Sequence, residues 1–396
     1  MTGLYNRAHP FSLSGKKSMK SIVVLLLLLS LATLLPARAA LPLAPPPQIE
    51  ARAWLLIDSA SGLPLAEQNA DTKVEPASLT KLMTAYLAFS ALKEGRIKPD
   101  QALPVSEKAW RAEGSRMFLD PKKPAKVDDL LKGMIVQSGN DACIVLAEAI
   151  AGSEERFASL MNETARKLGM TGTHYMNATG LPHPQHTTTA RDLARLASRL
   201  ILEFPERYKI YSMKEFAHNG ITQPNRNRLL FMDPSVDGVK TGHTDSAGYC
   251  LIASAKRDQR RLLSVVLGTE SDTARAMESQ KLLNYGFQFF ETVRLYPANQ
   301  AVSTLRIYKG KGSEVKAGFI GDLHVTVPRG SAKGIQAQLI TQQPLLAPVK
   351  RGQQIGTLRL TVEGKPMGDY PLLALDDIPV SGILGRGWDN ILLMFK

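Results

Sequence analysis

The chain has 396 residues, with 49 Lys or Arg against 36 Asp or Glu and a formal net charge of +13. At 44% hydrophobic and 21% charged it can bury a full core, which excludes a largely disordered chain. Two cysteines exclude a disulfide scaffold and a cysteine-built metal cluster, and no HExxH, GxxxxGK[ST], GxGxxG or GxSxG signature occurs.

Lys16, Lys17 and Lys20 precede an apolar run over 22–35, and Ala37-Arg38-Ala39 follows it. A basic start, a short apolar stretch and a small-residue site predict a secretory signal peptide over 1–39, with Met1 or Met19 as its start. The run is shorter than the roughly 20 residues a membrane span needs. Its removal takes five basic residues and no acid, so the remainder stays moderately basic. Such an exported protein suits anionic lipid or cell-wall surfaces, whereas its dispersed basic residues offer nucleic acid no patch. The sequence reads as a bacterial envelope protein.

Four prolines in 41–47 predict an extended lead-in. Apolar runs at 54–57 and 63–66 flank Ser59-Ala60-Ser61-Gly62 as a hairpin-like strand pair. Leu79, Leu82, Met83, Tyr86 and Leu87 recur at helical steps, so 78–94 is a predicted helix, with Pro76 before it and Gly95 after. Residues 127–150 read as two short helices broken at Ser138-Gly139-Asn140. Helical patterns recur at 154–168, 188–203 and 273–290, and 247–255 and 261–267 read as adjoining strands. The first body, ending near 292, therefore mixes strands and helices. Over 298–380 short apolar runs alternate with Gly, Pro and Lys, the pattern of an all-β module. In 381–396, Leu384, Trp388, Ile391, Leu392 and Phe395 recur at helical steps, as in a segment lying in a membrane interface.

Three short motifs occur in order: Ser78-Leu79-Thr80-Lys81, Ser138-Gly139-Asn140 and Lys240-Thr241-Gly242. Each alone is common; the ordered set is rare. Residues three apart on a helix place their Cβ atoms about 5–6 Å apart, so Lys81 Nζ can reach Ser78 Oγ. A lysine near its ordinary pKa is a poor base at neutral pH, so Lys81 must be desolvated or set beside another cation, for which Lys240 is the obvious partner. The N–H of Ser78 at a helix start and that of His243, after a glycine in an edge strand, suit the two halves of an oxyanion hole. Lys240 and Thr241 suit a substrate carboxylate, and Ser138 and Asn140 suit a proton relay and an amide clamp.

These motifs are those of the class A β-lactamases and penicillin-binding proteins. With Pro76-Ala77-Ser78-Leu79-Thr80-Lys81, Ser138-Gly139-Asn140-Asp141-Ala142-Cys143, Thr189-Ala190-Arg191-Asp192 and Val239-Lys240-Thr241-Gly242-His243-Thr244, the chain resembles the low-molecular-mass penicillin-binding proteins that are serine-type D-alanyl-D-alanine carboxypeptidases. The resemblance implies an α+β catalytic domain over 40–292, with an antiparallel sheet flanked by helices and a helical subdomain, then a small all-β domain over 298–380. It implies Ser78 as acylated nucleophile, Lys81 as general base, Ser138 as relay, and Asn140, Lys240, Thr241 and Arg275 as substrate-binding residues, with no metal or cofactor. The implied reaction removes the terminal D-alanine from peptidoglycan stem peptides, with β-lactams as covalent inhibitors and the C-terminus on the periplasmic face of the inner membrane. A D,D-endopeptidase is the rival of the same fold, and a non-catalytic wall-binding protein the rival of another class. Ser-Gly-Asn, in place of Ser-Asp-Asn, fits the carboxypeptidases. No glutamate lies between Glu163 and Glu203, where a β-lactamase would carry its deacylating residue, so rapid penicillin hydrolysis is not expected. Cys143 reads as buried and inert, and His183-Pro184-Gln185-His186 lacks the further ligands a metal would need.

Overall fold

The computed structural model describes residues 45–341 and 343–394, so the predicted signal segment 1–39 and Phe395 lie outside the described residues. A five-stranded antiparallel sheet organises the first domain. Its strands are β1 (Ala53–Asp58), β2 (Pro64–Gln68), β3 (Val236–Thr244), β4 (Gly248–Arg257) and β5 (Arg260–Thr269), in the order β2-β1-β5-β4-β3. All six residues of β1 are buried. Side chains alternate across a strand, and both faces here are covered. Leu55 and Ile57 join the cluster that holds Leu82 and Phe89, while Trp54 and Leu56 join the one that holds Leu282 and Leu283. That is why β1 reads as a continuous apolar run in the sequence.

The longer helices are α1 (Lys81–Lys93), α2 (Val127–Val136), α3 (Asn140–Ala151), α4 (Glu154–Lys167), α5 (Ala190–Glu203) and α6 (Asp272–Phe289). Their bounds follow the apolar periodicity closely. Ser153, Thr189 and Ser271 cap α4, α5 and α6, each hydroxyl accepting from a main-chain N–H three residues on. Helix α1 is buried on nearly every side, as a central helix must be when it carries apolar residues all round. The hairpin of Glu215–His218 with Ile221–Pro224 gives no sequence signal, because it is short and half-exposed.

The second domain begins at β6 (Phe290–Tyr296), which pairs with β9 (Leu323–Pro328). Strands β7 (Ala301–Tyr308), β8 (Glu314–Gly318), β10 (Ile335–Ile340), β11 (Leu345–Leu346), β12 (Gln354–Val362) and β13 (Lys365–Ala374) form a six-stranded sheet in the order β10-β12-β13-β8-β7-β11. Its own core includes Leu305, Val325, Leu358 and Leu372. The chain continues into α7 (Ile383–Met394).

A polar knot joins the two domains. Asp58, fully buried, accepts from Arg260 Nε at 2.9 Å and from Thr292 Oγ1 at 2.6 Å, and Thr326 Oγ1 lies 2.9 Å from Thr292 Oγ1 and 2.7 Å from Ser61 Oγ. A cleft of about 770 Å³ opens beside it, lined by Arg257, Arg260, Arg294 and Arg329 among others, and it carries none of the three motifs. Removing one member of a buried ion pair leaves the other charge uncompensated, at a cost of about 3–5 kcal/mol. Asp58→Ala is therefore expected to lower stability by about that amount in denaturant unfolding. A loss below about 1 kcal/mol, the range of an exposed pair, would contradict this account of the junction.

Candidate active site

The turn before α1, the α2–α3 corner and edge strand β3 meet at a cleft of about 550 Å³, lined by Ser78, Ser115, Ser138, Arg226, Thr241 and Arg275 among others. Helical spacing predicts a regular helix from Ser78. The structure instead has a 3-10 turn over Ala77–Thr80, and the α-helix starts at Lys81. Ala77 sits at φ 47, a left-handed conformation that costs a non-glycine residue energy. Packing explains the departure: a Cβ on Gly180 would lie 1.8 Å from Ala77 O, so the loop around Gly180 presses directly on the turn.

The serine and lysine still meet. Lys81 Nζ donates to Ser78 Oγ at 2.9 Å and to Thr179 O at 2.6 Å, and Lys81 is 1% exposed. Burial is the largest cause lowering its pKa to about 8; Cys143 and Asp141 oppose the shift and Arg226 adds to it. Opposite, Lys240 Nζ donates to Ser138 Oγ at 3.0 Å and to Thr241 O at 3.1 Å. Lys240 is also held well below the ordinary lysine value, first by burial and then by the charge of Lys81. The sequence offers desolvation or a second cation as the lever; in the structure desolvation is the largest cause for both amines.

Ser138 takes φ 64 at the α2–α3 corner. Behind it Asp141, buried, accepts from Met117 N at 3.0 Å and Leu119 N at 3.2 Å, which fixes the corner against the segment that carries Ser115. Asn140 Nδ2 is committed to Glu113 O at 2.6 Å, whereas its buried Oδ1 has no partner among the described residues. The free group of Asn140 is therefore an acceptor. On β3, a Cβ at Gly242 would lie 3.1 Å from Pro76 O and 3.2 Å from Leu79 Cγ, so the strand runs hard against the nucleophile turn and keeps the His243 main chain beside it. The Arg275 guanidinium donates to Gly242 O at 3.1 Å, pairs with Asp272 and lies over the Tyr249 ring. Ser78, Ser138, Thr241, His243 and Arg275 thus line one cleft, with Lys81 and Lys240 behind Ser78 and Ser138.

Sequence reasoning missed Arg226, Asp141 and the carbonyl of Thr179. Among the described residues no hydrogen bond or ion pair engages Arg226, and burial lowers its pKa. A single arginine in a polar run carries no signal of its own, and a carbonyl carries none at all. Cys143 and Cys250 are both free and buried, and burial raises the Cys143 thiol to about 12, which keeps it protonated at neutral pH. Glu163 pairs with Lys167, Glu203 accepts from Tyr86 Oη at 2.7 Å, and neither lines the cleft.

A nucleophilic serine, a desolvated lysine and a second lysine–serine pair define a serine hydrolase site of the acyl-enzyme class. Comparison with known proteins gives the family. Residues 41–271 match the D-alanyl-D-alanine carboxypeptidase family, and 290–380 match the C-terminal domain of penicillin-binding protein 5. The chain is 46% identical over 357 residues to the D-alanyl-D-alanine carboxypeptidase DacC of Escherichia coli strain K12, covering 88% of this chain and 89% of that one. It is 35% identical over 341 residues to DacF of Bacillus subtilis strain 168, covering 85% and 87%. Penicillin-binding protein 5 from Haemophilus influenzae superposes with a TM-score of 0.82 at 40% identity, over 85% of this chain and 99% of that one. Penicillin-binding protein D2 from Listeria monocytogenes in its ampicillin-bound form gives a TM-score of 0.57 at 33% identity, over 62% of this chain and 100% of that one. The chain belongs to the D-alanyl-D-alanine carboxypeptidase family and carries the penicillin-binding protein 5 type of β domain.

With Lys81 depressed to about 8, the acylation rate should climb with pH as the amine loses its proton, then level off above that value. Lys81→Arg, cationic throughout, should remove the climb and slow acylation by about 10²–10⁴-fold, read by stopped-flow labelling across pH. A profile that is flat between pH 6 and 9, within about twofold, would remove Lys81 as the base.

Proposed function

We infer that the protein is a serine-type D-alanyl-D-alanine carboxypeptidase that removes the terminal D-alanine from peptidoglycan stem peptides and is acylated by penicillins at the same serine. The observation that carries this reading is the 2.9 Å contact of Lys81 Nζ with Ser78 Oγ, in a cleft closed on the other side by the Lys240–Ser138 pair. A neutral Lys81 amine would keep an N–H on Thr179 O and turn its lone pair to the Ser78 hydroxyl, which is the arrangement for proton abstraction. Ser78 Oγ then attacks the carbonyl of the penultimate residue, and the N–H groups of Ser78 and His243 receive the oxyanion. The proton passes by Lys81 and Ser138 to the leaving D-alanine amine, and water later releases the stem from the ester. Thr241, Lys240 and Arg275 take the terminal carboxylate, with Arg226 adding positive field. The unpartnered Oδ1 of Asn140 accepts a substrate N–H.

We also propose that the protein is exported and rests on the periplasmic face of the inner membrane through 381–396. In α7, Ile383 and Met394 are 80% and 83% exposed. No helix among the described residues is long and apolar enough to cross a membrane, so an interfacial mode fits this segment.

Labelled penicillin should attach covalently to the wild type and not to Ser78→Ala, and mass spectrometry of a pentapeptide stem should register loss of one alanine with the wild type alone. Equal labelling of both proteins would displace Ser78 as nucleophile. On fractionation the full chain should sediment with inner membranes, whereas the chain ending at Val380 should be released; co-sedimentation of the shortened chain would contradict the anchor.

A further inference from the structure

The histidine-bearing loop that the three motifs leave unused packs on the nucleophile turn. His186 is 2% exposed, and its Nε2 lies 2.9 Å from Oγ1 of Thr80, which is itself fully buried. Thr80 belongs to the turn that carries Ser78 and directly precedes Lys81. The loop grips the same region three more times. Thr179 O accepts from Lys81 Nζ, Ala178 O accepts from Thr84 Oγ1 at 2.7 Å, and the Gly180 main chain presses on Ala77. His186 is mounted firmly: His174 and Thr187 exchange main-chain hydrogen bonds at 2.8 and 3.0 Å, and Thr188 bonds Val74 in both directions at 2.9 Å. The Tyr175 ring meets the imidazole edge-on, with centroids 5.7 Å apart.

The second ring nitrogen, Nδ1, is buried and has no hydrogen-bond partner among the described residues, so the ring is held through Nε2. Burial holds the ring at a pKa of about 4, so at neutral pH it adds no third charge behind Lys81 and Lys240.

We propose that His186 is a positioning residue: by holding Thr80 Oγ1 it fixes the turn that sets Ser78 Oγ against Lys81 Nζ. This rests on Ser78 and Lys81 acting as nucleophile and base. A misplacement of about 1 Å at a reacting pair can cost on the order of 10²-fold in rate, and a turn already held in a left-handed conformation at Ala77 has little reason to keep its shape unaided.

The test measures, with labelled penicillin at neutral pH, the first-order acylation constant and the dissociation constant of the complex that precedes it. Thr80→Val and His186→Ala should each slow acylation by about 10–100-fold while the dissociation constant holds. The double variant should be no slower than the slower single one, because both substitutions break one bond. His186→Gln, whose amide can hydrogen-bond Thr80 Oγ1 in either direction, should recover most of the rate. If His186→Ala does not fold by circular dichroism, Thr80→Val and His186→Gln decide the matter. A folded Thr80→Val that acylates within about twofold of wild type, losses that multiply in the double variant, or a change in the dissociation constant alone would each overturn the proposal. Ser78→Ala is run alongside. Labelling of that variant would sink the nucleophile assignment and this inference with it, whereas an unlabelled Ser78→Ala beside an unaffected Thr80→Val would sink this inference only.

Discussion

Two lysine side chains, 1% and 3% exposed, share one cleft, and the arrangement around them follows from the cost of burying both charges. Each nitrogen is given the same pair of partners, a serine hydroxyl and a main-chain carbonyl. Lys81 has Ser78 Oγ and Thr179 O, and Lys240 has Ser138 Oγ and Thr241 O. Among the described residues, neither amine has a carboxylate as a hydrogen-bond partner. A carboxylate would steady the ammonium form and defeat the chemistry, whereas neutral oxygens keep a neutral amine within reach. Burial pulls both amines below the usual lysine range. The surplus of positive charge, to which Arg226 and Arg275 contribute, is the counterpart of a substrate that ends in a carboxylate.

The scaffold's contribution is to hold three unrelated segments at this spot against their local preferences. Ala77 and Ser138, the residue before the nucleophile and the relay serine itself, both take positive φ. Such conformations persist only where packing over-determines them. At the first, the loop at Gly180 and the strand at Gly242 close in from two sides, each at a position where a side chain would collide with the turn. At the second, the Asp141 carboxylate ties the corner to the backbone of Met117 and Leu119. The sheet is buried on both faces, so β3, at its edge, has a rigid backing.

Much of this was legible in the sequence, for physical reasons that differ by element. Helices α2 to α6 show themselves because each turns an apolar stripe to the core, and the ordered motifs give the site because the chemistry constrains side-chain type. The 3-10 turn at Ala77–Thr80 was hidden, since Ser78 and Lys81 read as helical neighbours in either geometry. Thr179 O and the Thr80–His186 contact were hidden because they depend on which distant loop is folded over the turn. The balance between burial and neighbouring charge in lowering the lysine pKa values is likewise a property of depth, which no local pattern records. The start of the second domain at β6 fell before the composition shift used to find it, because β6 is amphipathic and continues directly from α6.

The central claim is that Lys81 stands ready as a neutral base because it is dry. Its most direct test is a titration of the lysine side chains by NMR on protein labelled at lysine Cε, with the Lys81 resonance assigned from Lys81→Arg. The account predicts a Lys81 midpoint near 8, well below that of the exposed lysines. A midpoint at the ordinary lysine value, 10.5, would contradict it.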